Sequence, residues 1–157
     1  MNNFFKRGSF LIALFSIILF SCDKGDNDII SLLETMEEDV LTLVNQYRYG
    51  EGLSSLTESS VISVEAKKHS QNMADGAVPY GHDGFVERMA IIRAEIGGTD
   101  AAENIGLGQE SAQEIVDDWI NSSAHKANMD GDYTHTGVGI AEDSNGVKYF
   151  TQIFLKK

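Results

Sequence analysis

Thr136-Gly137-Val138-Gly139-Ile140-Ala141, then Asn145-Gly146, then Val147 to Leu155 is the stretch that decides the fold class. The first run alternates along its length, as a half-buried strand does. The last run is rich in Tyr, Phe, Thr and Ile, residues that suit a pleated surface. An Asn-Gly pair between two such runs is the strongest short-range hairpin signal. The tail is therefore read as an antiparallel hairpin.

Upstream of it the period is helical. Ile29, Leu33, Met36, Val40, Leu43, Val44 and Tyr47 recur at helix spacing, and Ser31-Leu32-Leu33-Glu34 reads as a capping box, so a first helix is expected from about Ser31 to Gly50. A second, about Glu58 to Asp75, carries Ile62, Ala66, His69 and Met73 on one stripe and stops at Gly76. A loop from Ala77 to Asp83 holds the only proline, Pro79. A third helix, about Phe85 to Ile96, ends on Gly97-Gly98. Ala101 to Gln109 reads as irregular. Ser111-Ala112-Gln113-Glu114 is a second capping box, opening a helix that points Ile115, Val116, Trp119 and Ile120 inward and ends near Ser122. Helices first and a hairpin last give an α+β domain, with helices covering a small sheet.

The amino end reads as an export signal. Lys6 and Arg7 precede an apolar run from Phe10 to Phe20, broken only by Ser16. Eleven residues are too few to span a bilayer, which needs roughly 20, but they suit the apolar region of a signal peptide. Leu19-Phe20-Ser21-Cys22 is similar to a bacterial lipobox, in which cleavage leaves the cysteine first and acylated. The expected organisation is a signal peptide over 1–21, acylated Cys22 with a polar tether over 22–30, and one domain over 31–157. This places the protein in the cell envelope, lipid-anchored and extracytoplasmic, at an outer membrane or cell surface. With one cysteine in the chain, no internal disulfide can form.

Charge narrows the partners. After residue 21 the chain holds 10 Lys and Arg against 24 Asp and Glu, about −14. Such a surface repels phosphate backbones and anionic lipid, so nucleic acid is excluded as a partner and membrane attachment falls to the acyl chains.

Four histidines remain: His69, His82, His125 and His135. His69 lies on an apolar stripe and reads as a packed, hydrogen-bonded core residue. His135 precedes a strand, where it caps the strand or approaches the rim of a cleft. His82, in Tyr80-Gly81-His82-Asp83-Gly84, and His125, just past the Trp119 helix, read as loop residues that no core requires. Glu103 stands among small and apolar neighbours, where an acid is costly without a partner. Two imidazoles and a carboxylate can hold a divalent metal or work as an acid–base cluster, if the fold brings them together. Trp119 reads as core, and Asn104 and Asn128 as ties to loop backbone.

Their order is specific. Val40-Leu41-x-Leu43-Val44-Asn45-x-x-Arg48, Gly52-Leu53, Ala66-x-x-His69-Ser70-x-x-Met73-Ala74, Gly81-His82-x-Gly84, Arg88, Glu103-Asn104-Ile105, Trp119-Ile120-Asn121-Ser122-x-x-His125-x-x-Asn128-Met129 and Gly137-Val138-Gly139 follow one another. The series closely resembles the CAP superfamily, the group of cysteine-rich secretory, venom-antigen and plant pathogenesis-related proteins, and within it the compact bacterial, SCP-like branch. The resemblance runs from about Val40 to Phe154. It implies a three-layer α-β-α sandwich with a shallow cleft. In many members that cleft is lined by two histidines and two acids, and in some it binds zinc or another divalent cation. His82 matches the first histidine, Glu103 the first acid and His125 the second histidine. The second acid's position is Ser122 here, so the four-residue set is incomplete.

These readings imply a membrane-anchored binding module for a lipid, a small ligand or a protein. The alternative is a metal-dependent hydrolase, with His82 and His125 holding the ion and Glu103 as base. No Gly-x-Ser-x-Gly or His-Glu-x-x-His motif occurs to supply other hydrolytic chemistry.

Overall fold

The computed structural model describes residues 24–157. The signal segment and Cys22 lie outside the described residues. In chain order the elements are α1 (Lys24–Gly50), β1 (Thr57–Glu58), α2 (Ser60–Ala74), α3 (Phe85–Ile96), β2 (Ala101–Leu107), α4 (Ala112–Asn121), α5 (Ser123–Met129), β3 (His135–Glu142) and β4 (Lys148–Leu155).

The hairpin forms as the tail dictates: β3 and β4 pair antiparallel from His135↔Leu155 to Glu142↔Lys148. Its loop is not the two-residue kind. Gly146 N–H donates to Asp143 C=O at 3.0 Å, Gly146 has φ 82° and Asn145 keeps a negative φ, which describes a type I turn closed by a left-handed glycine. The Asp143 carboxylate also accepts from the backbone N–H groups of Asn145 and Val147 at 2.8 and 2.9 Å.

The sheet has the order β1-β3-β4-β2, with β1 parallel to β3 and β2 antiparallel to β4. Helices cover both faces, making a three-layer α-β-α sandwich of the α+β class. One face packs Val138, Ile140, Phe150 and Phe154 against Val40 and Val44 of α1 and Val116 and Trp119 of α4. The other packs Ile153 and Leu155 against Ile62 and Ala66 of α2 and Met89 and Ile92 of α3. Each such side chain contributes about 1.5–3 kcal/mol by leaving water. Gly137 and Gly139 let α2 lie directly on β3, because a Cβ on either would strike the α2 backbone near Ser63 or Lys67. Ser70 Oγ ties the two, donating to Gly139 C=O at 2.8 Å.

Four segments differ from the sequence expectation. Helix α1 begins at Lys24, so residues 24–30, expected as a polar tether, are helical. Ser31 lies inside that helix, its C=O accepting from Thr35 Oγ1 at 3.0 Å, and caps nothing. The segment expected to be irregular is strand β2, and the chain after Ser122 is helix α5. Strand β1 precedes α2, which starts at Ser60. Half of the capping box at Ser111 forms: Glu114 N–H donates to Ser111 Oγ at 3.2 Å, while the Glu114 carboxylate accepts at 2.7 Å from the N–H of Glu110, one residue before the cap.

Candidate functional site

The site is built where β2, an edge strand, meets α3, the loop before it, and α5. Successive β2 side chains alternate between the two faces. Glu103 falls on the α2/α3 face and is 6% exposed. A carboxylate there needs partners, and Arg88 of α3 supplies most of them. Its Nε donates to Glu103 Oε2 at 3.1 Å, and its Nη2 lies 2.7 Å from Oε2 and 2.8 Å from Oε1. The third partner is His82, whose Nδ1 sits 2.9 Å from Oε1.

Arg88 is itself locked. Its Nη1 donates to Asp83 C=O at 2.7 Å and to His69 Nδ1 at 3.0 Å. His69 Nε2 lies 2.8 Å from Gly81 C=O. A carbonyl only accepts, so Nε2 carries the His69 proton and Nδ1 is the acceptor. Burial pushes the His69 pKa down, in keeping with a neutral ring. The same logic sets His82. A carboxylate accepts, so Nδ1 holds a proton and Nε2 is the ring nitrogen left without a partner, on a half-exposed side chain. One buried ion pair thus joins α2, the loop at 81–83, α3 and β2, and fixes which His82 nitrogen is free.

The open edge of β2 is partly sealed from the other side. Asn128 Nδ2 donates to Glu103 C=O at 3.2 Å and Trp119 Nε1 to Ile105 C=O at 2.9 Å. Asn104 Nδ2 donates to His125 C=O at 3.2 Å, and its Oδ1 accepts from Asn128 Nδ2 at 2.9 Å. Trp119 is core, and Asn104 and Asn128 tie backbone, as their sequence contexts indicate. A shallow cleft of about 280 Å³ remains, lined by His82, Phe85, Ala101, Ala102, Glu103 and Asn128.

Of the sequence-derived site residues, His82 and Glu103 meet directly. His125 belongs to α5 rather than a loop; its ring is half-buried, and burial lowers its pKa, with His82 adding to the push. It stands near His82 but is not one of the residues lining the cleft. Ser122 is the junction of α4 and α5, and its hydroxyl caps neither. His135 starts β3, two strands from β2, and its Nδ1 pairs with Thr134 Oγ1 at 2.9 Å, so it is not at the cleft rim. Arg88 was given no role by the sequence. Its spacing, three residues after Phe85 and four before Ile92, sets it beside their apolar edge, but that spacing alone does not distinguish a buried arginine from one that reaches solvent.

The donor set does not suit a metal ion. Both Glu103 oxygens already face the Arg88 guanidinium, whose charge opposes a second cation. Among the described residues, no three His, Cys, Asp or Glu side chains are grouped to hold one. Zinc and other divalent cations therefore have no fitting place at His82 and His125 as arranged.

Residues 41–154 match the CAP domain, the cysteine-rich secretory protein family. The chain belongs to that family. It is 33% identical over 127 residues to the membrane protein YlbC of Bacillus subtilis, covering 78% of this chain and 35% of YlbC. It thus spans about a third of that relative. An extracellular SCP-domain protein of Bacillus anthracis superposes with a TM-score of 0.74 at 24% identity, over 83% of this chain and 43% of the other. An outer surface protein of Borrelia burgdorferi does so with 0.65 at 18%, over 85% and 94%. These likenesses establish the CAP fold.

Proposed function

We propose that this CAP domain is an extracytoplasmic binding module, anchored to the cell envelope through lipid on Cys22, and that its cleft recognises a lipid, small-molecule or protein ligand without metal. One observation carries the reading: the Glu103 carboxylate is fully engaged by Arg88 and His82. It is not free to serve as a metal ligand or as the base of a metal-dependent hydrolase, the alternative reading. The extracellular and outer-surface descriptions of the two structural neighbours, and the membrane description of YlbC, support the location.

Titration calorimetry with zinc and calcium on the wild type and on Arg88→Met tests the metal-free cleft. The wild type binds neither ion; Arg88→Met, with Glu103 released beside His82 and His69, gains zinc affinity. Stoichiometric zinc in the wild type, or turnover of a peptide, glycan or ester that is lost in His125→Ala, sinks the reading. Metabolic palmitate labelling that persists in Cys22→Ser sinks the anchor.

A further inference from the structure

The register of β2 shows which of its backbone groups are free. Lys156 N–H donates to Asp100 C=O and Gly108 N–H to Lys148 C=O, each at 2.8 Å. With Ala101↔Leu155 and Leu107↔Tyr149 in register, the even-numbered residues of β2 exchange ladder bonds with β4. The odd-numbered ones, Ala101, Glu103, Ile105 and Leu107, turn their N–H and C=O away from it. Asn128 and Trp119 take the carbonyls of Glu103 and Ile105. Among the described residues, no hydrogen bond is made to Ala101 N–H, Ala101 C=O or Glu103 N–H. These three groups belong to cleft-lining residues.

We propose that the cleft takes an extended peptide segment, which adds to the sheet along the free edge of β2 at Ala101–Glu103. This rests on the binding-module reading and names its ligand class. A row of unpaired ladder groups is a template for another strand. The peptide supplies two carbonyls and one N–H, meeting Ala101 N–H, Glu103 N–H and Ala101 C=O. Asn128 already holds the next carbonyl and stops the strand there, so the ligand is short. Ala101 and Ala102 put only methyl groups on the two faces of the edge, each partly buried against the core. On the His82 face, a peptide side chain meets the partly buried Phe85 ring and the unpartnered His82 Nε2, which suits a hydroxyl. Because Arg88 neutralises Glu103, that face presents no uncompensated carboxylate to a neutral peptide. The acidic surface beyond it disfavours acidic sequences.

The test uses nitrogen-15-labelled full-length protein and a blocked peptide of about six alternating valine and threonine residues, the length of an ordinary strand. A second peptide carries a methyl on every amide nitrogen. The unmethylated peptide is expected to shift the Ala101 and Glu103 amide resonances and slow their hydrogen exchange; the methylated one does neither. Ala101→Pro removes one outward donor at the first position of an edge strand, where proline is tolerated. It should weaken binding about fivefold while the melting temperature holds. The inference is overturned if the first peptide moves neither resonance up to about 10 mM, the weak limit of specific recognition, or if both peptides bind alike. It is also overturned if folded Ala101→Pro binds as the wild type does. If Ala101→Pro fails to fold, the two peptides on the wild type decide alone. Loss of peptide binding leaves the metal-free binding module standing, because its own test uses zinc, calcium and Arg88→Met.

Discussion

The domain buries two arginines, one on each side of the sheet, and uses them differently. Arg88 is 8% exposed and faces a carboxylate. Arg48 of α1 is 2% exposed and faces carbonyls: Nε donates to Ser54 C=O at 2.9 Å, and Nη1 to Met129 C=O at 2.5 Å and Gly131 C=O at 3.0 Å. Burial pulls the Arg48 pKa down, and Asp130 and Asp132 push it back up. Arg48 therefore staples the turn after α1 to the segment after α5. Arg88 also fastens a loop, through Asp83 C=O and through His69 to Gly81, but it leaves one residue of that loop, His82, half in solvent with a nitrogen free. A buried arginine on carbonyls closes a structure. A buried arginine on a carboxylate can hold a histidine open toward solvent in one tautomer. That difference is the ground for placing the proposed binding surface at Arg88 and not at Arg48.

The largest effect should follow from breaking the charged pair on one side only. Glu103→Leu strands the Arg88 guanidinium in the interior and should cost about 3–5 kcal/mol by denaturant unfolding. Adding Arg88→Met removes the stranded charge, and the double variant should recover most of that loss, because well-packed apolar pairs replace buried ion pairs at little cost. Additive single losses would mean that the pair is not a unit. The double variant should still lose ligand binding, since nothing then orients His82.

Arg48→Met should cost less, about 2–3 kcal/mol, because it leaves carbonyls unpaired rather than a charge. It should leave the His82 ring resonances and any cleft ligand untouched. A cleft that responds to Arg48→Met as strongly as to Glu103→Leu would erase the distinction between the two arginines.

How much of this was legible beforehand follows from what each residue signals locally. The hairpin was readable because Asn145-Gly146 and the β-formers beyond it act within a few residues. Helix α3 was readable to the residue because Gly84 and Gly97 bracket it and both take positive φ. Strand β2 was not, because it is buried on both faces from Glu103 to Gly106 and so shows no alternation, while its glutamate, asparagine and glycine all look like loop residues. The reason for those residues is tertiary: Glu103 answers Arg88, Asn104 answers Asn128, and a Cβ at Gly106 would strike Ile115. Helix α5 is only seven residues and follows α4 with a single non-helical residue between, so no period had room to appear. Likewise His82 and Glu103 could be nominated from sequence, but the third member of their cluster could not be told from an ordinary surface arginine until α3 was laid against β2.

The smallest effect concerns pH and separates the two arginine networks once more. His69, held neutral between Gly81 and Arg88, has its pKa lowered by burial from an ordinary 6.5, and His125 is lowered likewise. A base whose folded pKa is depressed is equally uncharged in both states above 6.5. Below it, the unfolded chain takes up the proton first, so stability falls with falling pH until the folded ring also titrates. The melting temperature should therefore be flat from pH 8 to about 6.5 and decline from there toward about pH 5, before most carboxylates titrate. The loss is of order 1 kcal/mol per histidine for each unit of its displacement. His69→Gln, which can still accept from Arg88 and donate to Gly81, should remove part of that decline, and the remainder should follow His125. Arg48→Met should keep the decline in full, because no histidine hydrogen-bonds to Arg48. A decline in the wild type that is unaltered in His69→Gln would show that the Arg88 side of the sheet is no more acid-sensitive than the Arg48 side.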